Sequence, residues 1–251
     1  MPEICSVQDL VEVASTLMTD TEARWLFRGQ PRASWDLQPS VHRDYGRDEE
    51  RYLTQEFRAR AGVRHRSTPR YKDYADWLAL MQHYGLPTRL LDWSHSPLTA
   101  AFFAVERTMR HYTPKEAETS AAAIWAVCPG LLNVSQRLKP FIYPLNSSDL
   151  APIVKSAFYN RPNPLTVAAA MAVETDIRMQ VQRGAFTIHG TAEPLNHLPN
   201  HESWLRKWVI PAPFVKKMAR EVEVLGLGLA DLFPDLGNLA RDMASRVPKK
   251  H

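Results

Sequence analysis

Residues 89–93, Arg-Leu-Leu-Asp-Trp, form a short apolar segment that leads into a strong helix start. Pro87 precedes the segment and a polar turn follows it, which favours a short buried strand over a helix. Ser96 and Pro97 then supply an N-cap hydroxyl and a proline at the first helical position. The chain is therefore predicted to place a strand directly before a helix N-terminus, a geometry that attracts anions.

Other segments carry strand or helix patterns of similar length. Strands are predicted over residues 24–29, 121–127, 185–189 and 204–210, and helices near 6–17, 48–61, 73–84, 174–184 and 213–226, with a last helix after Asp235. Because strands and helices mix without strict alternation, the pattern favours an α+β fold over a doubly wound sheet. We expect one mixed domain over residues 1–251, with its core over roughly 20–245 and a small central sheet flanked by helices.

Composition excludes several classes of protein. The 251 residues are 45% hydrophobic and carry a net charge of +4, which is typical of a globular chain with an ample core. Two isolated cysteines, Cys5 and Cys128, make neither a disulfide framework nor a zinc site. The N-terminus lacks a signal-peptide pattern and no apolar segment is long enough to span a bilayer. The expected location is the cytoplasm, with no membrane partner.

Arginine is concentrated near the N-terminus. Between Arg24 and Arg70 the chain has eleven Arg, six acidic residues and no Lys. Such a bias suits a phosphate-bearing ligand, because Arg pairs with phosphate in a bidentate way. A solvated surface of exposed ion pairs is the alternative explanation.

The first candidate site follows the strand over 24–29. Arg28 emerges near the strand end, beside Gly29, which allows close approach of a ligand, and Gln30. Arg28 is a candidate to hold a pyrophosphate or carboxylate. The alternative is an ion pair with an acidic residue such as Asp92.

The second candidate site is the segment 82–97. It gathers hydrogen-bonding, charged and aromatic side chains around one strand-to-helix turn: Gln82, His83, Tyr84, Thr88, Arg89, Asp92, Trp93, Ser94, His95 and Ser96. The rings of Tyr84 and Trp93 are suited to stacking on a planar group. The alternative assigns these rings to the core, Asp92 to an ion pair and Ser96 to capping alone. A third candidate, Gln182, precedes the strand over 185–189, and a surface glutamine is its alternative.

Familiar catalytic and metal patterns are missing from the sequence. The spacing of His83, His95 and Asp92 fits no familiar zinc pattern, so no metal is expected. The sequence also lacks the nucleophile elbow of serine hydrolases, the dinucleotide-binding glycine motif and the P-loop.

The chain resembles the FRG domain family, named for the triplet present here as Phe27-Arg28-Gly29. The matching segments are WLFRGQ, WDLQPS with Arg43, MQHYGLPTRLLDWSHSPLTAAFFAV, QRGAFTI and LFPDLGNLA, over about residues 24–240. The plan is more loosely similar to that of ADP-ribosyltransferases, an α+β fold. That similarity implies that Arg28 helps to hold NAD, that Ser94 or Ser96 supplies a strand hydroxyl, and that Phe103 packs under the site.

One departure from the transferase pattern bears on activity. Such enzymes usually carry a late-strand Glu that stabilises positive charge on the ribose, whereas this chain has Gln180 and Gln182 at the comparable point. A neutral Gln bonds a hydroxyl but does not stabilise that charge, so Asp92 is the candidate to supply it. The catalytic residues predicted are therefore Arg28, Asp92 and Gln182, brought together by the fold.

These observations predict an NAD-using, ADP-ribosyltransferase-like effector of bacterial defence or toxin systems. NAD would be a co-substrate, and a protein or nucleic acid the acceptor. Two alternatives stay open on the sequence. One is a binding module without chemistry, for a nucleotide, RNA or a partner protein. The other is a nuclease or NAD glycohydrolase that uses Asp92 with His83 or His95 as acid and base.

Overall fold

The computed structural model describes residues 2–21, 23–65, 68–109, 120–171 and 184–232, together with 237, 240, 243–244 and 247. Its helices, in chain order, are α1 (Val7–Thr21), α2 (Ser40–Asp44), α3 (Arg47–Ala61), α4 (Tyr74–His83), α5 (Pro97–Met109), α6 (Pro129–Ser135), α7 (Ala151–Ser156), α8 (Ala212–Val224) and α9 (Leu229–Leu232). Short 3-10 turns lie at Leu195–His197 and His201–Ser203. The helix predicted over 174–184 lies almost wholly outside the described residues, and the one after Asp235 lies mostly outside them.

Seven strands form one mixed sheet. They are β1 (Leu26–Gln30), β2 (Leu90–Ser94), β3 (Ala122–Val127), β4 (Tyr143–Pro144), β5 (Val167–Met171), β6 (Gly184–His189) and β7 (Leu205–Ile210). Their order is β4-β5-β6-β2-β1-β3-β7, with β4 and β5 parallel and the other neighbours antiparallel. The predicted α+β class is confirmed, with a larger sheet than expected.

Local signals placed the boundaries around β2 within one residue. Gly85 has φ +77°, a left-handed conformation that ends α4 as predicted. The Ser96 hydroxyl accepts a hydrogen bond from the backbone N–H of Thr99 at 3.2 Å, and α5 begins at Pro97. The strand itself starts at Leu90 rather than Arg89, and the Leu90 N–H donates to the Thr88 hydroxyl at 3.2 Å.

The sheet is covered on both faces by apolar side chains. α5 packs along β1, and the largest core cluster joins these elements to β3, β7 and α8. A second cluster joins α4 and α7 to Leu90, Ile188 and the neighbouring residues of β5. Burying each large aliphatic or aromatic side chain stabilises the fold by roughly 1.5–3 kcal/mol. Among the described residues, no helix combines the length and apolarity needed to cross a bilayer.

Candidate functional site

A cavity of about 340 Å³ lies between α4 and α5, where β1, β2 and β6 run side by side. Its polar lining includes Arg28, Gln82, His83, Asp92, Ser94, Thr99 and Glu106. Its aromatic lining is formed by Phe27, Trp93, Phe103 and Phe186. This volume lies at the lower end of the range, about 300–1,000 Å³, that is typical of small-molecule sites. We refer to the cavity below as the central cleft.

Sheet register explains why strand residues distant in sequence meet in the cleft. Phe27 lies opposite Ser94 across β1 and β2, and Asp92 lies opposite Phe186 across β2 and β6. Paired residues share a face, and so do residues two apart on one strand. These four side chains therefore lie on the same side of the sheet, the side that α4 and α5 cover.

Arg28 bridges β1 and β2 at the edge of the cleft. Its Nη1 donates a hydrogen bond of 2.8 Å to the backbone carbonyl of Asp92. Its Nε is buried and has no hydrogen-bond partner among the described residues. Burial lowers the pKa of the guanidinium and Asp92 raises it, but an arginine stays protonated at neutral pH. The central cleft thus has a fixed positive charge at its edge.

The Asp92 carboxylate is anchored from α4. Gln82 Nε2 donates to Asp92 Oδ2 at 2.6 Å, and the Thr88 hydroxyl donates to Gln82 Oε1 at 2.5 Å. The carboxyl lines the cavity, where Asp92 is exposed to its solvent, and the partial loss of water around the carboxyl raises its pKa. The Arg28 charge and the Gln82 hydrogen bond act in the opposite direction. Arg28 and Asp92 are thus neighbours, although the hydrogen bond from Arg28 runs to the backbone of Asp92 and not to its carboxyl.

Trp93 connects the cleft to a buried polar chain. Its Nε1 donates to the Thr187 hydroxyl at 3.1 Å, and that hydroxyl lies 2.9 Å from Nε2 of His189. Burial lowers the pKa of His189 well below its usual range, so the imidazole is neutral at pH 7. Trp93 alternates with Asp92 along β2 and is almost fully buried, so its hydrogen bond to Thr187 holds the indole in the core on the opposite face of the sheet.

Gly29 lines the cleft, but a packing requirement accounts for its lack of a side chain. A Cβ at this position would lie 1.9 Å from the carbonyl oxygen of Ala100 and 2.5 Å from the backbone N of Ala104. Any side chain would push α5 away from β1. The glycine of the triplet therefore permits close approach of a helix, whereas the sequence interpretation assigned that space to a ligand.

Arg89 does not lie in the central cleft. It is fully buried, and its Nε and Nη2 donate to both oxygens of Glu50 in α3. Its Nη1 donates to the Ile153 carbonyl at 2.9 Å and to the Ser156 hydroxyl at 2.7 Å. The cofactor-binding role predicted for Arg89 is corrected to a structural one, because its donors are already used inside the protein.

Three other predicted ligand-binding residues also lie outside the lining of the cleft. Gln30 is buried and bonds the Asp36 carbonyl and the Trp125 indole. Ser96 caps α5. Tyr84 is exposed and its ring packs edge-on against His65 and His83. Gln30 and Ser96 have their hydrogen bonds satisfied within the fold, and Tyr84 lies after the end of α4.

The remaining predictions fall in two groups. The structure brings together Arg28, Gly29, Gln82, His83, Asp92, Trp93 and Ser94 in the lining of the cleft, where Phe103 also lies. Gln182, with Gln180, lies outside the described residues, and Gly184, two residues later, lines the cleft.

Sequence reasoning missed Thr99 and Glu106. They lie on α5 with Phe103 at spacings of four and three residues, which places all three on one helix face. The sequence did contain a signal for them, because Thr99 and Glu106 are polar residues at the two ends of this helix face and the helix follows Asp92 closely in sequence.

The lining combines a guanidinium, carboxyls, a hydroxyl and aromatic walls. This set can hold a phosphate-bearing, ring-containing ligand and place a carboxylate beside it. Within the described part of the chain, no group of three or more His, Cys, Asp or Glu is arranged to hold a metal ion.

Residues 23–113 match the family model of the FRG domain. The chain therefore contains an FRG domain, and the family predicted from the triplet and from the segment 82–97 is confirmed. The matched range runs from the start of β1 to beyond α5 and supplies most of the cleft lining. No curated protein and no solved structure matches the chain.

Proposed function

We propose that this FRG-domain protein binds NAD in the central cleft and transfers its ADP-ribose to a macromolecular acceptor. The observation that carries the proposal is the meeting of Arg28 and Asp92 in one aromatic-walled cavity of about 340 Å³. NAD offers each of these groups a partner, since it combines a pyrophosphate, two riboses and two planar rings.

Each residue of the cleft is assigned to a different part of NAD. The Arg28 guanidinium, whose positive charge lies at the edge of the cleft, is suited to the pyrophosphate. The ring of Phe103 provides a surface for the nicotinamide, and Asp92 is placed for the adjoining ribose. A carboxylate there opposes the positive charge that develops as the glycosidic bond weakens.

The proposed reaction breaks one bond at C1′ of ribose and forms another. The bond between the nicotinamide nitrogen and C1′ of ribose breaks, and its electron pair leaves with nicotinamide. A nucleophile of the acceptor forms the new bond to C1′ and gives up its proton to Asp92, which acts as a base. In keeping with the resemblance, we place this activity in an effector of bacterial defence or toxin systems.

The test is NAD consumption by the purified protein, followed by mass spectrometry with and without cell lysate. Nicotinamide release with an ADP-ribose mass added to a macromolecule supports the proposal. Release with free ADP-ribose identifies a glycohydrolase, with water as acceptor. NAD binding without turnover identifies a binding module and overturns the proposed transfer.

The variant Asp92→Asn tests whether the activity resides in the cleft. We expect turnover to fall about 100-fold or more, as when one preorganised charge-stabilising group is removed from an active site. NAD binding should change little, because the amide keeps the size of the side chain. Asp20→Asn, an exposed residue at the end of α1, is the matched control. Equal turnover in the two variants would remove Asp92 from the reaction.

A further inference from the structure

We propose that Gln82 is a positioning residue that keeps the Asp92 carboxyl ionised and turned into the central cleft. The contact that carries this inference is the hydrogen bond of 2.6 Å from Gln82 Nε2 to Asp92 Oδ2. The importance of Gln82 for turnover rests on the proposed function, whereas its effect on Asp92 is measurable without any reaction.

Thr88 fixes which end of the Gln82 amide faces Asp92. The Thr88 hydroxyl accepts a hydrogen bond from the Leu90 N–H at 3.2 Å and lies 2.5 Å from Gln82 Oε1. Since an amide oxygen only accepts, the hydroxyl proton must point to it. The NH2 end of Gln82 is then committed to Asp92, and a donor there favours the carboxylate form.

The protein packed around the Asp92 carboxyl acts against its charge, although the residue is exposed in the cleft. The first effect on Asp92 is desolvation, which raises its pKa, while Arg28 and Gln82 lower it. Among the residues that the structure describes, the other charged or titratable groups that line the cleft are Arg28 on β1, His83 on α4 and Glu106 on α5. Gln82 touches the carboxylate directly, whereas the contact from Arg28 runs to the backbone carbonyl of Asp92.

A protonated Asp92 would not stabilise positive charge on a ribose and would not act as a base. The chain Thr88–Gln82–Asp92 therefore determines which role the carboxyl has in the cleft. It supplies an ionised carboxylate from β2. In the transferase pattern, a Glu on a late strand supplies that carboxylate instead.

The experiment is a titration of the Asp92 carboxyl by carbon-13 NMR in the full chain. In Gln82→Met, which has a similar size and no donor, the midpoint should rise by about one pH unit. Thr88→Ser keeps the hydroxyl and should titrate like the wild type. Gln8→Met, at an exposed position on α1, is the matched control. Gln82→Asn, one methylene shorter, replaces Gln82→Met if that variant does not fold.

The outcomes separate this inference from the proposed function. A shifted midpoint without NAD turnover in the wild type supports the role of Gln82 and overturns the transfer reaction. An unchanged midpoint in folded Gln82→Met overturns the role of Gln82, even where turnover depends on Asp92. If Gln82 has this role and the wild type turns over NAD, the acid limb of the pH profile of turnover should move to higher pH in Gln82→Met, together with the Asp92 midpoint.

Discussion

Arg89 and Glu50 form a fully buried, two-pronged ion pair that joins the start of β2 to α3, across 39 residues of sequence. Arg89 Nε lies 2.8 Å from Glu50 Oε1, and Nη2 donates to Oε2. Ser156 and the Ile153 carbonyl take up the remaining Nη1 donors. The pair holds α3, α7 and β2 together beneath the cleft.

Glu50→Gln should destabilise the fold strongly. Removing one partner leaves a buried charge uncompensated, which costs about 3–5 kcal/mol. Glu56→Gln on the same helix is the control, since Glu56 pairs with the exposed Arg60 and such pairs contribute about 0–1 kcal/mol. Urea unfolding at pH 7 measures both. Similar free energies of unfolding for the two variants would show that the buried pair is not needed for stability.

Gly29→Ala should also destabilise the protein. The added Cβ would meet the Ala100 carbonyl at 1.9 Å, and backbone atoms move away only if α5 shifts. We expect a loss of about 3 kcal/mol, at the upper end for overpacked sites. Gly62→Ala has open space and φ −59°, so it should be neutral or stabilise by about 0.5 kcal/mol. Thermal denaturation of the pair decides whether close packing explains the glycine of the triplet.

Arg28→Lys should weaken NAD binding while keeping the charge. Lysine lacks the planar fork of donors that bridges the Asp92 carbonyl and a phosphate, so we expect the dissociation constant to rise about tenfold or more. Arg60→Lys, at an exposed position on α3, is the control. Isothermal titration calorimetry measures the affinity of both variants for NAD. An unchanged affinity in Arg28→Lys would show that Arg28 does not contact the ligand.

Stability should fall as the pH drops below about 6.5, the ordinary pKa of histidine. Burial, first of all, lowers the pKa of His42 to about 4 in the folded protein. Between these values the unfolded chain binds a proton that the folded chain does not, which favours unfolding. For His42 this amounts to about 2–3 kcal/mol between pH 7 and pH 4. His189 contributes in the same direction.

His42→Gln tests this dependence. Its free energy of unfolding should fall less than that of the wild type when the pH is lowered from 7.5 to 5. Chemical denaturation at the two pH values makes the comparison. An equal fall in both proteins would show that His42 does not cause the acid sensitivity.

Local sequence signals were enough to predict the elements around the cleft. Ser96 and Pro97 start α5, Gly85 ends α4, and the apolar segment between them forms β2, because caps, prolines and glycines act within one or two turns of the chain. The same segment, with the triplet, identified the FRG domain. These signals are local, so a single sequence carries them in readable form.

Which polar residues face the cleft depends on contacts between distant parts of the chain. Arg28 and Arg89 both lie in or beside short buried strands, yet one reaches the cavity and the other is enclosed with Glu50. That difference depends on the pairing of β1 with β2 and on the packing of α3, contacts between residues 39 or more positions apart. Glu106 joins the site for the same reason. Local patterns assign a residue to a helix or strand. Long-range packing alone determines which other residues contact its side chain.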